Sequence, residues 1–289
     1  MRSHALILAG PALVAGFQLA AAESDASGIG YHLFNPVPKD RMRELSTDRP
    51  DQTESAYTVD AGHFQIESDL YTFSRDVDRS APGGGVVNEG STFASVNLKA
   101  GLWRNVDLQV ILDPYVRSRT TDRGAGTTER VGGFGDVTTR LKVNLWGNDG
   151  GTTALAVMPY LKIPTAKRGL GNNSVEGGVI VPLAVELPAG FGIGLQTEAD
   201  AMRNDGRSGH HLEWVNSITV GHDLIGDLAG YVEFFTVTSF ERGAPWEGYF
   251  DLGLTYGLTG NIQLDAGCNF GVTDSAPDYN PFVGITFRF

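Results

Sequence analysis

One cysteine, Cys268, occurs in 289 residues. A lone thiol excludes an intramolecular disulfide and any cysteine-based zinc motif. Charge is scarce too: charged residues make up 19% of the chain, against about a quarter in ordinary soluble proteins. Bases are the minority among them, with 22 Lys and Arg against 34 Asp and Glu and a net charge of −12. That acidic balance argues against a nucleic-acid partner, because phosphates attract basic surfaces. After residue 22 no stretch approaches the roughly 20 apolar residues of a transmembrane helix. If the mature chain sits in a membrane, it must cross as a closed β-barrel, the other way to satisfy every backbone polar group in lipid.

Signatures of catalysis are missing as well. There is no G-x-S-x-G elbow, H-E-x-x-H, P-loop or G-x-G-x-x-G. His210-His211 is the only adjacent His pair; on a strand the two rings point to opposite faces and cannot share an ion, so a surface-loop placement is expected. A lipid hydrolase built into a barrel would need Ser, His and an acid at its rim. His63 and His222 with nearby serines are the candidates, and no spacing singles them out. The chain is therefore expected to be no enzyme, with no metal and no cofactor.

What is present begins with an export signal. Arg2 and His4 form a short basic start, Ala5 to Leu19 an apolar run, and Ala20-Ala21-Ala22 an A-x-A cleavage site before Glu23. Residues 1–22 read as a signal peptide, residues 23–61 as a periplasmic or lumenal segment, and residues 62–289 as a barrel.

The barrel reading rests on a repeated pattern of period two. In Asn105 to Arg117, Val106, Leu108, Val110, Leu112 and Val116 share one face, and Asp107, Gln109, Asp113, Tyr115 and Arg117 the other. In the next run Val137, Thr139, Leu141, Val143 and Leu145 oppose Asp136, Thr138, Arg140, Lys142 and Asn144. About twelve such runs follow one another, near 63–73, 92–102, 105–117, 135–146, 152–163, 175–187, 191–202, 211–222, 227–238, 247–258, 261–271 and 279–289. Their connections alternate in length. Asp76 to Glu89 and Ser118 to Gly132 are long and polar, whereas Trp103-Arg104, Pro188-Ala189-Gly190 and Thr259-Gly260 are tight. An up-and-down outer-membrane barrel has this asymmetry, with tight periplasmic turns and longer external loops.

One face must then meet lipid and the other a lumen. Glu67, Asp69, Lys99, Asp107, Asp136, Arg140, Lys142, Lys162, Glu186, Glu198, Asp200, Glu213, Glu233, Asp251, Asp265 and Arg288 fall on the polar face. The pairs Glu67 with Asp69 and Glu198 with Asp200 lie at i and i+2 and so point the same way. Mixed charge of this kind tunes which solutes pass, and the acidic excess predicts a mild cation preference. Twelve strands give a lumen between the filled eight-stranded barrel and the open sixteen-stranded porin. Aromatics at run ends, among them Trp103, Trp146, Phe191, Trp214, Trp246 and Tyr256, suit the membrane interfaces. Cys268 falls on the apolar face with Leu264 and Phe270. The final run places Val283, Ile285, Phe287 and Phe289 on one face and ends on an aromatic residue. It resembles the signal that outer-membrane barrels present to their insertion machinery.

Four short pieces, in order, resemble one family of outer-membrane proteins. They are Arg49 to Ser55, Ala61 to Glu67, Gly133-Phe134-Gly135-Asp136, and Pro159 to Thr165. The family is described as the "MetA-pathway of phenol degradation", or simply as transporters. Ala166 departs from it, standing where Gly usually follows Pro-Thr. The resemblance implies an outer-membrane channel or transporter-like barrel for small solutes, aromatic compounds among them. Independently of it, the charged segment Arg49 to Ser55 can fold into the lumen as a constriction. There Arg49, Asp51 and Glu54 would pair with charges such as Lys142, Arg140 or Glu67, because a buried charge must find a partner or stay hydrated. A periplasmic tail that only leads into the first strand is the alternative. Candidate selectivity residues are thus Arg49, Asp51, Glu54, Glu67, Asp69, Asp136, Arg140, Lys142, Lys162, Glu198, Asp200 and Glu233. Other functions for such a barrel are a structural or adhesive role with a plugged lumen, or lipid hydrolysis.

Overall fold

The structure is a computed structural model that describes residues 30–81, 83–206 and 208–289. The expected signal peptide lies outside the described residues. From Phe64 onward the chain forms strands: β1 (Phe64–Asp78), β2 (Val86–Trp103), β3 (Val106–Leu112), β4 (Tyr115–Asp122), β5 (Thr127–Gly133), β6 (Val137–Trp146) and β7 (Thr153–Ile163). The second half continues with β8 (Glu176–Leu187), β9 (Phe191–Arg203), β10 (His210–Ile225), β11 (Leu228–Ser239), β12 (Glu247–Thr259), β13 (Ile262–Gly271) and β14 (Tyr279–Arg288). Each strand of the barrel pairs antiparallel with its neighbours. The ring closes where β1 pairs with both β2 and β14. Twelve strands make that ring, and β4 and β5 extend it on one side.

The inside and outside of this barrel are the reverse of a soluble protein. Gln65, Glu67, Lys99, Asp107, Gln109, Lys142 and Glu233 are buried, while Leu98, Leu145, Trp146, Leu195, Leu252 and Leu254 are exposed. An exposed apolar surface wrapping a polar interior is stable only where hydrocarbon replaces water outside. Aromatic rings border that band. Phe234, Phe250, Phe270 and Tyr279 stand opposite one another on successive strands. At the other end Phe64 stacks on Phe289, with ring centroids 6.1 Å apart. The barrel is of the outer-membrane type, with its tight turns at the end where the chain enters and leaves.

Three expected elements differ. The expected loop Asp76 to Glu89 is largely strand, since β1 runs on to Asp78 and β2 begins at Val86, the two pairing with each other to their ends. The run 105–117 is not one strand, and the expected loop Ser118 to Gly132 is not a loop. Pro114 has no N–H to give the ladder, and β3 stops at Leu112. The chain resumes as β4, which pairs with the outer half of β2, and turns into β5. Together they form a two-stranded cuff above the membrane band.

The interruption also exchanges faces. Along β1 the register steps from Asp69 opposite Ser95 to Tyr71 opposite Phe93, so Leu70 and Ala94 are both passed over. Ala94 has φ 53, in the left-handed region that a bulge residue adopts. A one-residue slip sends every later side chain to the other face. Asp113-Pro114 does the same between β3 and β4. Beyond this row Tyr71, Phe93 and Tyr115 point outward, and the rings lie 5.0 and 6.0 Å apart in turn. Tyr115 and Arg117, expected in the lumen, therefore stand outside, while Ser74 and Thr92 are buried inside.

This exchange can be read chemically. With Cys268 replaced by Ser, cysteines placed at Arg117 and Arg119 are expected to react with a membrane-impermeant maleimide on whole cells much faster than cysteines at Ser74 and Thr92. The opposite order would mean that the strands run through the row without a slip.

Candidate functional site

The chain before β1 occupies the lumen. At the lower opening it is tied to the barrel: the Leu33 N–H donates to Leu102 O at 2.9 Å. Arg43 holds Asp60 at 2.7 Å and donates to Arg104 O at 3.1 Å. From Ser46 the chain rises into the barrel, and by Gly62 it has returned, donating its N–H to Gly101 O at 2.9 Å. The wall is trimmed to receive it. A Cβ on Gly101 would lie 2.0 Å from Asp60 O, and one on Gly284 would lie 2.2 Å from the Arg49 guanidinium.

A buried segment without helix or strand leaves its backbone groups unpaired unless side chains take them. Here the wall supplies those side chains. Glu67 accepts the Asp48 N–H at 3.1 Å, and Gln196 accepts that of Glu54 at 2.7 Å. Asn148 accepts from Thr58 and Asp107 from Val59, both at 3.0 Å. Glu233 takes the N–H groups of Gln52 and Thr53 at 2.8 and 2.9 Å and the Thr53 hydroxyl at 2.6 Å. Asn144 donates to Ala56 O at 2.8 Å.

Charge organises the centre. Lys99 on β2 and Lys142 and Arg140 on β6 all face the lumen and would repel one another. The Asp48 carboxylate sits among them, bonded to Lys99 at 2.5 Å and to Lys142, with Arg140 at 3.7 Å. Burial works to raise its pKa, but Lys142, Lys99 and Arg140 together hold it well below the usual carboxylate range. Arg49 bridges Asp69 at 2.6 Å and Asp265 at 2.7 Å. Burial opposes its charge, and the two carboxylates more than offset that, raising its pKa. Glu54 pairs with Arg140. Burial nevertheless dominates there, and with Asp48 adding repulsion the Glu54 carboxyl is pushed up to about 7. Asp51 lies well above its ordinary value, first through burial and then through Glu233 beside it.

The sequence-predicted residues thus fall into three groups. Arg49, Asp51, Glu54, Glu67, Asp69, Arg140, Lys142 and Glu233 meet around the segment, and one of the expected pairs, Glu54 with Arg140, is formed. Glu54 takes Arg140, Arg49 takes two acids of the wall, and Asp51 faces an acid rather than a base among the described residues. Lys162, Glu198 and Asp200 form a second group on β7 and β9, where Lys162 holds Glu176 at 2.5 Å and Tyr160 donates to Asp200 at 2.5 Å. Asp136 is elsewhere: it accepts the Ala166 N–H at 2.8 Å and anchors the loop after β7. Not anticipated were Asp48, bonded to three cations, and the neutral residues Asn144, Gln196 and Gln109, which donates to Asp48 at 3.1 Å and accepts from Arg140 at 2.8 Å.

The histidines are otherwise engaged. His63 Nε2 lies 2.7 Å from Val37 O, and His222 stacks on Phe191 with centroids 3.9 Å apart. His210 opens β10 rather than lying in a loop, 2.9 Å from Val175 O, while His211 lies 3.2 Å from Asn204.

Fold and site together define an outer-membrane β-barrel, channel-like in architecture, with a chain segment inside its lumen. A family model described as "Putative MetA-pathway of phenol degradation" matches residues 47–289, and the chain belongs to that family. No curated protein matches the sequence at a significant level. Among solved structures, the transport unit of the autotransporter AIDA-I from Escherichia coli superposes with a TM-score of 0.51. The identity is 9%, over 85% of this chain and 93% of that one. The translocator domain of the autotransporter NalP from Neisseria meningitidis gives a TM-score of 0.49 at 12% identity, over 78% and 88%. The NanC porin gives 0.48 at 10% identity, over 78% and 98%.

Two outcomes follow for the segment. Asp48→Ala leaves Lys142 without its carboxylate partner and Lys99 and Arg140 with Glu67 and Glu54 alone, and breaking a buried ion pair costs about 3–5 kcal/mol. Amides of residues 48–59 should then exchange with solvent on the order of 100-fold faster, with the barrel strands unchanged. The second outcome concerns pH. The undocked, hydrated Glu54 ionises near its ordinary 4.5, the docked one near 7. A raised carboxyl favours docking at acid pH, and that contribution is lost as pH rises from 4.5 through 7. Asp48 stays charged across this window. With the intrinsic base catalysis of amide exchange divided out, protection of the segment should therefore fall between pH 5 and 8, and Glu54→Gln should lessen that fall, the raised Asp51 carrying the remainder.

Proposed function

We propose that this protein is a gated outer-membrane channel for small solutes, in which residues 46–62 form the gate. The observation that carries the proposal is how the segment is held. Its apolar contact is small, with Ala56 and Tyr57 packed on Ala154, Ala156 and Ala184. The segment is fastened by hydrogen bonds and ion pairs to the wall, and water can replace each ordinary hydrogen bond at about 0.5–1.5 kcal/mol net, so that opening is a rare but reversible event. Displacement of the segment would leave a hydrated, charged passage. Asp48 removed, the wall would present Lys99, Lys142 and Arg140 at one level and the acids Glu198, Asp200, Glu213, Glu233 and Asp251 across from and above them, a pattern that suits selective permeation. The acids outnumber the bases, which favours cations over anions.

The solute class follows from the family and from one stretch of wall. The family description names phenol degradation. On β7 and β8 the otherwise charged wall carries Met158, Tyr160 and Ile180, a buried apolar cluster, with Ala154 and Ala156 below it. A small aromatic compound with one polar substituent would find both kinds of surface. The second reading, a barrel permanently filled for a structural or adhesive role, is favoured by the number of backbone groups that the wall satisfies.

Planar-bilayer recording separates the two. The purified protein is expected to show brief, rare openings. Deletion of residues 47–55 should raise mean conductance several-fold and give a modest cation preference, and phenol should reduce the current through the deleted form. An unchanged conductance after deletion would sink the gate.

A further inference from the structure

The face exchange at the Leu70, Ala94 and Asp113-Pro114 row places a cluster of arginines on the outside of the barrel. Beyond the outward row Tyr71, Phe93 and Tyr115, the next outward positions carry Ser91 opposite Arg117, then Arg75 and Arg119 on either side of Glu89, with Arg130 opposite Arg119. Glu89 is the shared partner, 3.2 Å from Arg75 and 3.3 Å from Arg119. Arg117 and Arg130 have no acidic partner among the described residues. Four cations therefore surround one anion, on a chain whose net charge is −12.

Two further observations set the cluster apart from an ordinary basic surface. Arg119 and Arg130 are directly cross-strand, an arrangement of like charges that destabilises a sheet unless an anion lies between them. The Arg119 Nε is buried and has no hydrogen-bond partner. Three of the four arginines line a cavity of about 420 Å³, bounded by Phe73, Glu89, Ser91, Arg117, Arg119 and Arg130.

We infer that this cavity binds the phosphorylated headgroup of an outer-leaflet glycolipid, of the lipid A type. Its position fixes the class of ligand. The long loops lie at this end of the barrel, which is the external side. The arginines stand immediately above an aromatic row, where lipid headgroups meet the hydrocarbon. Guanidinium groups match phosphate oxygens in paired hydrogen bonds. The rings of Tyr71, Phe93 and Tyr115 below them offer the surface along which the lipid's acyl chains would lie. A free phosphate would use the upper half of this site alone; a phosphorylated lipid would use both. The cuff of β4 and β5 supplies Arg117, Arg119 and Arg130, so its role includes holding that headgroup.

The test uses the full refolded chain in a neutral detergent. Native mass spectrometry would follow binding of lipid A, of dephosphorylated lipid A and of inorganic phosphate. Lipid A should bind, and the dephosphorylated lipid should bind at least about ten-fold more weakly, the loss of one good charge-assisted contact. Arg117→Ala combined with Arg130→Ala should weaken lipid A binding to a similar extent while keeping the heat-modifiable migration of an intact barrel. Glu89→Gln, which removes the competing anion, should tighten it, and this holds even if the double variant fails to fold. Equal binding of both lipids, or a Glu89→Gln variant that binds no better, would overturn the site. Inorganic phosphate stabilising the protein as much as lipid A would also overturn it, in favour of a free-anion site. Conductance does not enter any of these readouts, so the result is independent of the gate.

Discussion

The lumen of this barrel depends on one carboxylate placed among three cations. Lys99, Lys142 and Arg140 point inward because the period of two leaves them no other face, and inward they are shielded from water. Glu67 and Glu54 each answer one of them, and Asp48 supplies the carboxylate that Lys142 lacks and joins all three. With it, the interior can close, and the rest of the segment follows. Arg49 one residue on spans Asp69 and Asp265 across the β1–β14–β13 wall, and Glu54 reaches Arg140 from the other side. The fastening is ionic at its centre and hydrogen-bonded around it. That division explains how a stretch with no regular structure can sit in a buried place.

Much of this was legible in the sequence, for a physical reason. Alternation is forced on any strand with lipid on one side and water on the other, so the twelve runs and the loop asymmetry appear directly. Individual runs such as 191–202 and 247–258 lie within a residue or so of β9 and β12. The presence of lumen charges on β1, β6, β9 and β11 was legible by the same logic. Pairing was not. Asp48 differs from Asp51 in the sequence by nothing that marks it, and which acid meets Lys142 is decided by a three-dimensional path. The amides Gln109, Asn144 and Gln196 carry no signal at all, since a neutral polar residue on an inward face is expected whether or not it grips a backbone group.

The misplacement of Tyr115 and Arg117 has a sharper cause. Parity reasoning carries each face forward from the last residue counted, and a single passed-over residue inverts everything after it. Leu70 and Ala94 look ordinary in their runs; only Pro114 gives a warning. The same limit explains why Ser118 to Gly132 looked like a loop. Its polar residues are those of a strand pair with water on both sides, for which alternation has no apolar face to display.

Wall residues hold the lumenal segment chiefly by its main chain: Glu67, Glu233, Gln196, Asn148 and Asp107 all grip N–H groups that every residue except proline carries. Such recognition is indifferent to side-chain identity at Gln52, whereas Thr53 and Thr58 are also held through their hydroxyls. The path of the segment therefore tolerates substitution at Gln52, while Asp48, Arg49, Glu54 and the two threonines are its side-chain fixed points. Relatives whose segments look dissimilar can share one plug shape, provided that those few charges and the wall that answers them change together.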